Sequence, residues 1–278
     1  LLLRIAISYI FFEEKKNGKM KKRKSFGQHF LIRDDIAEDI VNSLIFKQQK
    51  ANVVVEIGPG EGVLTKFLVP KKPLIDLYLI ELDRRLPKYL IRKFPDLEGR
   101  ITNADVLKVD LADILPSLDD VYMIGNFPYN ISTQILFRVL EYRDNISQVV
   151  GMFQKEVAQR VAAKAGNKTY GVITILIQFY YDVTYLFEVG AECFDPPPKV
   201  QSAVIRLERH HKYEGLVAYA DFRRVVKQAF SQRRKKLSNA LKNVELDDTK
   251  FNVSWLDKRA EQLSLEDFIV LAKALRKG

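Results

Sequence analysis

One cysteine and three histidines are all that 278 residues contain of the two side chains best suited to transition metals. Cys193 alone can form no intramolecular disulfide and no multi-cysteine zinc site, and such sparse usage fits a reducing compartment. His29, His210 and His211 are too few for a histidine-rich metal centre, so the expectation is no metal. Low-complexity blocks and internal repeats are also missing, which sets aside disordered, collagen-like and coiled-coil readings. Long apolar runs are scarce: residues 1–12 contain Arg4, fall short of the ~20 needed to cross a bilayer, and lack a small-residue cleavage site. They are read as no membrane anchor.

What is present is ordinary globular material with an excess of positive charge. Hydrophobic residues make up 47% and charged residues 29%, and 45 Lys and Arg stand against 35 Asp and Glu, for a formal charge of +10. Such a balance points to a polyanion or an anionic surface as partner, without choosing between them. The length allows one large domain with a small appendage. The chain opens with Leu1, and Met20 precedes the first motif-bearing segment, so residues 1–19 are read as an extension.

After a lysine-rich stretch, Ile36, Ile40, Val41, Leu44 and Ile45 share one helical face, with Asp35 and Glu38 marking the start. Short β-branched runs then recur at 52–57, 74–80, 101–104, 121–125 and 148–153, each separated by a segment able to carry a helix. This alternation predicts an open α/β sheet with buried parallel strands. Residues 171–178 read equally as helix or strand, and 183–189 and 200–207 as a strand pair. Beyond Arg209 the pattern turns helical and basic, placing a boundary near 207–218: residues 20–208 form the main domain and 209–278 a small helical one. Trp255, Leu256, Leu263, Phe268, Leu271 and Leu275 are its expected core.

The first chemical signal is Val55-Glu-Ile-Gly58-Pro-Gly60-Glu-Gly62, a strand running into a glycine turn and then a helix, where the backbone can approach a ligand closely. A tight strand-to-helix turn would look the same. Glu81, at the end of the next strand, tips the balance, because an acid there can accept hydrogen bonds from both ribose hydroxyls. The pair suggests an adenosine-containing cofactor: nicotinamide, flavin or S-adenosylmethionine. Asp105, after the third strand, reads either as an acceptor for an adenine amine or as a helix N-cap.

Directly after the fourth strand comes Gly125-Asn126-Phe127-Pro128-Tyr129. The Asn126 amide oxygen and the Phe127 carbonyl, held rigid by Pro128, are two acceptors suited to the two hydrogens of an exocyclic amine, and Tyr129 can stack on the base. An adenine amine is a poor nucleophile because its lone pair is delocalised; two aligned acceptors favour the pyramidal form that can attack a methyl sulfonium in line. Positioning and electrostatics then carry the reaction with no strong base and no metal.

On these segments, together with Phe26-Gly-Gln-His-Phe-Leu31, Gln154-Lys-Glu156, Phe194-Asp-Pro-Pro-Pro-Lys-Val200 and Gln232-Arg-Arg-Lys-Lys236, the chain resembles the KsgA/Dim-type ribosomal RNA adenine dimethyltransferases, which are related to the Erm enzymes. The resemblance implies a Rossmann-like class I methyltransferase sheet with a small C-terminal helical domain and S-adenosylmethionine as cofactor. It implies that Gln28, His29, Leu31, Gly58, Gly60, Glu81, Asp105 and Asn126 line the cofactor site. Asn126, Phe127, Pro128 and Tyr129 would hold the target base and Phe194 would cover its other face. Two departures from the family stand out: His29 where Asn is common, and Phe127 where Leu is common, the latter harmless because a backbone carbonyl acts there. The implied reaction is dimethylation of two adjacent adenosines in a hairpin loop near the 3′ end of small-subunit rRNA, within an assembling subunit; a monomer in the cytoplasm is the default expectation.

Arg223, Arg224, Lys227, Arg233, Arg234, Lys235 and Lys236 form a basic run with no acid between its ends, read as phosphate contacts because a solvated helix face usually mixes signs. The target adenosine would have to be splayed out of its stack to reach the sheet edge. Asp195-Pro196-Pro197 imitates an acidic-Pro-Pro methyltransferase motif, but Pro198 follows where an aromatic is needed, so it reads as a rigid loop presenting Phe194. Cys193 reads as a buried, inert thiol. The rival readings are an Erm-type enzyme of large-subunit RNA, a non-catalytic assembly factor, and an NAD-dependent oxidoreductase, which would have no use for the Asn-Phe-Pro-Tyr set.

Overall fold

The computed structural model describes residues 29–46 and 51–276. The extension at 1–19, the basic stretch before Phe26, and Gln28 lie outside the described residues.

Seven strands form one sheet. β2 (Asn52–Ile57), β3 (Ile75–Glu81), β4 (Ile101–Asn103), β5 (Val121–Asn126) and β6 (Ile146–Gln154) are parallel, and β9 (Ser202–Arg209) lies antiparallel between β6 and the edge strand β7 (Tyr181–Val189), which therefore runs in the same direction as the other five, in the order β4-β3-β2-β5-β6-β9-β7. The short strands β1 (Phe30–Leu31) and β8 (Phe194–Asp195) pair separately, Leu31 opposite Phe194. β2 shows why the parallel strands read as unbroken apolar runs: Val53, Val55 and Ile57 pack on one side of the sheet and Val54 on the other, so both faces are covered. The chain runs outward from β2 through β3 and β4, then returns to place β5 on β2's other side. That reversal makes the C-terminal ends of β2 and β5 a switch point, where a crevice opens in such sheets.

The connecting helices are α1 (Asp34–Asn42), α2 (Thr65–Leu68), α3 (Leu86–Lys93), α4 (Ser132–Glu141), α5 (Lys155–Val161) and α6 (Val172–Gln178). α1 begins without a side-chain cap, but Asp34 and Asp35 in its first turn complement the helix dipole. The ambiguous segment after Gly171 resolves as helix. Its β-branched residues favour a strand locally, yet Ile173, Thr174, Ile175, Leu176 and Ile177 are all buried, and a helix apolar around its whole girth is stable inside a core. The Thr174 hydroxyl accepts from the Gly171 N–H (3.0 Å) and donates to the Arg160 carbonyl (2.6 Å), which fixes its start against α5.

The basic tail supplies α7 (Tyr219–Phe230), α8 (Leu237–Ala240) and α9 (Leu265–Lys273). Phe222, Val225, Leu237, Leu263, Phe268 and Leu271 are fully buried and belong to the same apolar cluster as β5 and β6. The Phe222 ring lies 4.3 Å from that of Phe179 at the end of α6. Trp255, Leu256 and Leu275 pack against this cluster half-buried. No helix among the described residues is long and apolar enough to cross a membrane.

Candidate active site

A crevice opens at the switch point, walled by the turn after β2, the ends of β3 and β5, the loop after β4, and β1. The β2 turn needs glycine: Gly58 and Gly60 have φ of +64° and +58°, and a Cβ on Gly60 would stand 2.9 Å from the Phe30 ring. The same turn sets the first acid, since the Gly60 N–H donates to Glu81 Oε2 at 3.1 Å. The Asp83 N–H donates to Glu81 Oε1 at 2.8 Å, and Asn103 Nδ2 holds the Glu81 carbonyl at 2.7 Å. Glu81 is 5% exposed. Burial raises its pKa, and the two backbone donors pull the other way.

A second carboxyl sits deeper. Glu56, 1% exposed, accepts from Thr65 Oγ1 at 2.7 Å on α2 and also lines the crevice. Burial, with the Glu81 charge nearby, pushes it up to about 8 against the hydrogen bond from Thr65. Asp83 is buried too, in a salt bridge with Arg85 at 2.5 Å. Asp105 caps a turn, not a helix, its Oδ1 accepting the Leu107 N–H at 3.0 Å, and the residue lines the crevice. Ile57, Val63, Ile80, Leu82, Val106 and Leu107 complete apolar walls, with no Lys or Arg among the lining residues. His29, Leu31, Gly58, Gly60, Glu81, Asp105 and Asn126 all face this one space.

The far wall is the tail of β5. Asn126 Nδ2 donates to the His29 carbonyl at 3.2 Å, which leaves Oδ1 of the same amide available as an acceptor. The Phe127 ring is fully buried, 5.0 Å from Phe153, and it fits because Gly151 below has no Cβ, which would stand 2.3 Å from it. With its ring thus committed to the core, Phe127 has only backbone to offer the crevice. Pro128 accepts from the Ile131 N–H at 3.1 Å, and the Ser132 hydroxyl donates to the Tyr129 carbonyl at 3.0 Å, so the turn into α4 is closed. The Tyr129 hydroxyl shares a 2.5 Å hydrogen bond with Ser202 Oγ, and its ring lies stacked on that of His29, 5.4 Å away at 25°. Burial raises the Tyr129 pKa, against the hydrogen bond with Ser202.

Phe194 is a correction. It was expected to cover the face of a bound base, but it is 2% exposed, packs with Leu31, Val189 and Cys193, and does not line the crevice. The β1–β8 pairing is the reason, since it turns Phe194 inward opposite Leu31. Cys193 beside it is buried and free. The basic residues divide. Arg223, Arg224, Lys227, Arg233, Arg234, Lys235 and Lys236 are all exposed. Arg233, however, donates to the Lys168 carbonyl and to that of Tyr170 (2.9 Å), and Lys236 pairs with Asp257 at 2.9 Å. Arg233 therefore ties the tail to the loop before α6, and Lys236 holds a loop within the tail.

Sequence reasoning assigned no role to Glu56, Thr65, Asp83, Asn103 or Ser202. The first and third were visible as acids bracketing named motif residues; the other three act through contacts that no spacing announces.

Six strands running one way, a single reversed strand beside one edge and an acid-lined crevice at the switch point define the class I methyltransferase fold. The ribosomal RNA adenine dimethylase family model matches residues 19–277. The chain is 48% identical over 257 residues to ribosomal RNA small subunit methyltransferase A of Cytophaga hutchinsonii, covering 92% of this chain and 98% of that one, and 47% identical over 253 residues to the protein of the same name from Parabacteroides distasonis (91% and 93%). Among solved structures it is similar to a dimethyladenosine transferase from Plasmodium falciparum, with a TM-score of 0.72 and 26% identity over 87% of this chain and 96% of that one. The 23S rRNA methyltransferase ErmE shares the fold, with a TM-score of 0.68 and 23% identity over 88% and 99%. The chain belongs to the ribosomal RNA adenine dimethylase family and is a methyltransferase.

Proposed function

We propose that this enzyme dimethylates the N6 amines of two adjacent adenosines in a hairpin loop near the 3′ end of small-subunit rRNA, with S-adenosylmethionine as methyl donor. The observation that carries the reading is that Asn126, Phe127, Pro128 and Tyr129 open onto the same crevice as Glu81 and Asp105. A base held at the first set lies beside a nucleoside held at the second.

The residues present suit the cofactor. Glu81 keeps lone pairs beyond those used by Gly60 and Asp83, enough for ribose hydroxyls. Asp105 has a carboxylate oxygen for an adenine amine, and Ile80, Leu82 and Val106 give apolar faces for the purine. A crevice lined by acids and free of Lys and Arg suits a cationic ligand. When bound, S-adenosylmethionine supplies a methyl group made electrophilic by its sulfonium.

Asn126 Oδ1 and the Phe127 carbonyl accept the two hydrogens of the adenine amine and draw its lone pair out of the ring plane, while Tyr129 stacks on the base. The methylated amine is transiently cationic and strongly acidic, so it loses its proton to water without a side-chain base. A second round requires the amine to rotate and present its remaining hydrogen. The base reaches the site flipped out of its stack, and Arg223, Arg224, Lys227, Arg234 and Lys235 hold the flanking phosphates from the helical tail at 209–278, setting register but not base identity. We place the enzyme in the cytoplasm, acting as a monomer on assembling small subunits.

The test is transfer of labelled methyl groups to unmethylated small subunits and, separately, to large-subunit RNA, with product nucleosides identified by mass spectrometry. Dimethyladenosine confined to the small subunit is the expected result. Label in the large subunit would move the assignment to the Erm-like reaction, and tight RNA binding with no transfer to either would make the chain a binding factor.

A further inference from the structure

The proline-rich segment 193–202 was left without a chemical role once Phe194 proved to be core. Its contacts, however, converge on the base side of the crevice. At one end it is fastened to β1: the Ile32 N–H donates to the Cys193 carbonyl at 2.9 Å, and His29 Nδ1–H donates to the Pro196 carbonyl at 2.7 Å. At the other end Lys155 holds Gln201 twice. Its N–H donates to the Gln201 carbonyl at 2.9 Å and its ammonium to Gln201 Oε1 at 3.0 Å, the same ammonium pairing with Glu188 at 2.7 Å. The next residue, Ser202, is fully buried and carries the 2.5 Å hydrogen bond to the Tyr129 hydroxyl.

We propose that His29 and Ser202 are positioning residues that clamp the Tyr129 ring from its face and its hydroxyl, with the segment between Pro196 and Ser202 as the frame that holds them at a fixed spacing. The inference rests on the reading of Tyr129 as the platform for the target base. A tyrosine on a turn can rotate about two side-chain bonds, and a platform that rotates gives a flipped base no defined height or tilt. Ser202 fixes the hydroxyl end of the ring. The imidazole of His29 backs one ring face at a separation too short to admit a base between the rings, so the base takes the opposite face. Pro196 can only accept, so Nδ1 carries a proton and the imidazole plane is itself held. The His29 carbonyl meanwhile orients the Asn126 amide. One residue therefore sets the pose of both halves of the base site, in line with the gain expected when the groups around a reacting atom are held before it arrives.

A double-mutant cycle tests the clamp in the full-length enzyme acting on unmethylated small subunits. Ser202→Ala and Tyr129→Phe should each lower kcat about fivefold, and the double variant should lose no more than either alone, because Ser202 acts only through the hydroxyl. His29→Ala should lower kcat by a similar factor, and His29→Phe, which restores a stacking ring, should recover most of it. Cofactor affinity, read by calorimetry without RNA, should stay within twofold for Ser202→Ala and Tyr129→Phe. Losses that multiply in the double variant, a normal kcat for Ser202→Ala, or a Phe at 29 no better than Ala would each overturn the clamp. If Ser202→Ala melts early, Ser202→Cys, with a similar volume and a weaker hydrogen bond, takes its place in the cycle. Absence of transfer by the wild type would instead defeat the underlying reading of the site.

Discussion

The acids on the cofactor side of the crevice are each tied to a partner before any ligand arrives: Glu81 takes two backbone N–H groups, Glu56 the Thr65 hydroxyl, Asp105 the Leu107 N–H, and Asp83 the Arg85 guanidinium. On the proposed RNA side, Arg223, Arg224, Lys227, Arg234 and Lys235 are exposed and have no hydrogen-bond or ion-pair partner among the described residues. The first arrangement is preorganised, and it suits a small ligand whose every polar group must be met. The second leaves mobile charge for a polyanion whose counterions are released on contact. Asn126 and Tyr129 line the same crevice as the acids, half-buried, and belong by their hydrogen bonding to the ordered side. If that division is right, substitutions should separate by kind of defect as well as by size.

The largest effect is expected at the junction. Asn126→Ala removes an acceptor aimed at the reacting amine and should lower kcat by on the order of a thousandfold, roughly 4 kcal/mol of transition-state stabilisation. Cofactor affinity should fall by far less. Single-turnover methyl transfer alongside calorimetry checks both, and equal losses in the two would dissolve the boundary between cofactor side and base side.

Glu56 breaks the comparison in the pH dimension. Its pKa rises on folding from 4.5 to about 8. The folded state therefore holds a proton that the unfolded chain releases above pH 4.5, so this stability is complete below about 4.5 and declines as pH rises to about 8. Glu56→Gln keeps an acceptor for Thr65 and removes the titration. The variant should gain up to a few kcal/mol relative to wild type at pH 9 compared with pH 5, read from denaturant unfolding at the two values. A pH-independent difference would mean that Glu56 is ionised in the folded enzyme.

Glu81→Ala should chiefly weaken the cofactor, by about 2 kcal/mol or some thirtyfold, as expected for losing charged hydrogen-bond acceptors. Affinity unchanged in calorimetry would remove Glu81 from the ribose.

How legible each side was in the sequence follows from the same contrast. β2 and β3 announce themselves as apolar β-branched runs, and the glycine turn and Glu81 fall at their ends, so the ordered side could be read from period and punctuation. Val172–Gln178 could not be settled that way, because its β-branched composition and its helical fate conflict, and only burial on every side decides. Phe194 was misplaced because a motif names a residue but not the direction of its ring; the pairing of β8 with β1 sets that direction, and the two strands are 163 positions apart by their aligned residues Leu31 and Phe194. Ser202 and Thr65 were invisible for a related reason. A hydroxyl that completes another residue's geometry leaves no spacing signal of its own. In the tail the basic run was plain, yet its sign alone could not separate charges left free from Arg233 and Lys236, which are spent on the loop before α6 and on a loop of the tail.

That last distinction gives the smallest expected effect and the finest test of the comparison. Arg224→Ala and Lys235→Ala, made singly, should weaken binding to small-subunit RNA only severalfold near physiological salt, and each should lower the slope of log affinity against log salt by about one. Lys236→Ala loses a surface ion pair as well as a charge. Its effect on stability should stay under about 1 kcal/mol, as for exposed pairs generally, since the two side chains are 58% and 78% exposed. Its change in salt slope should be smaller than that of Arg224→Ala, because in the free enzyme its charge already has Asp257 as counterion. Filter binding across a salt series, with melting temperatures alongside, separates the three. Equal slopes for all three variants would show that the intrachain pairing breaks when RNA binds, and that free and spent charges form a single surface.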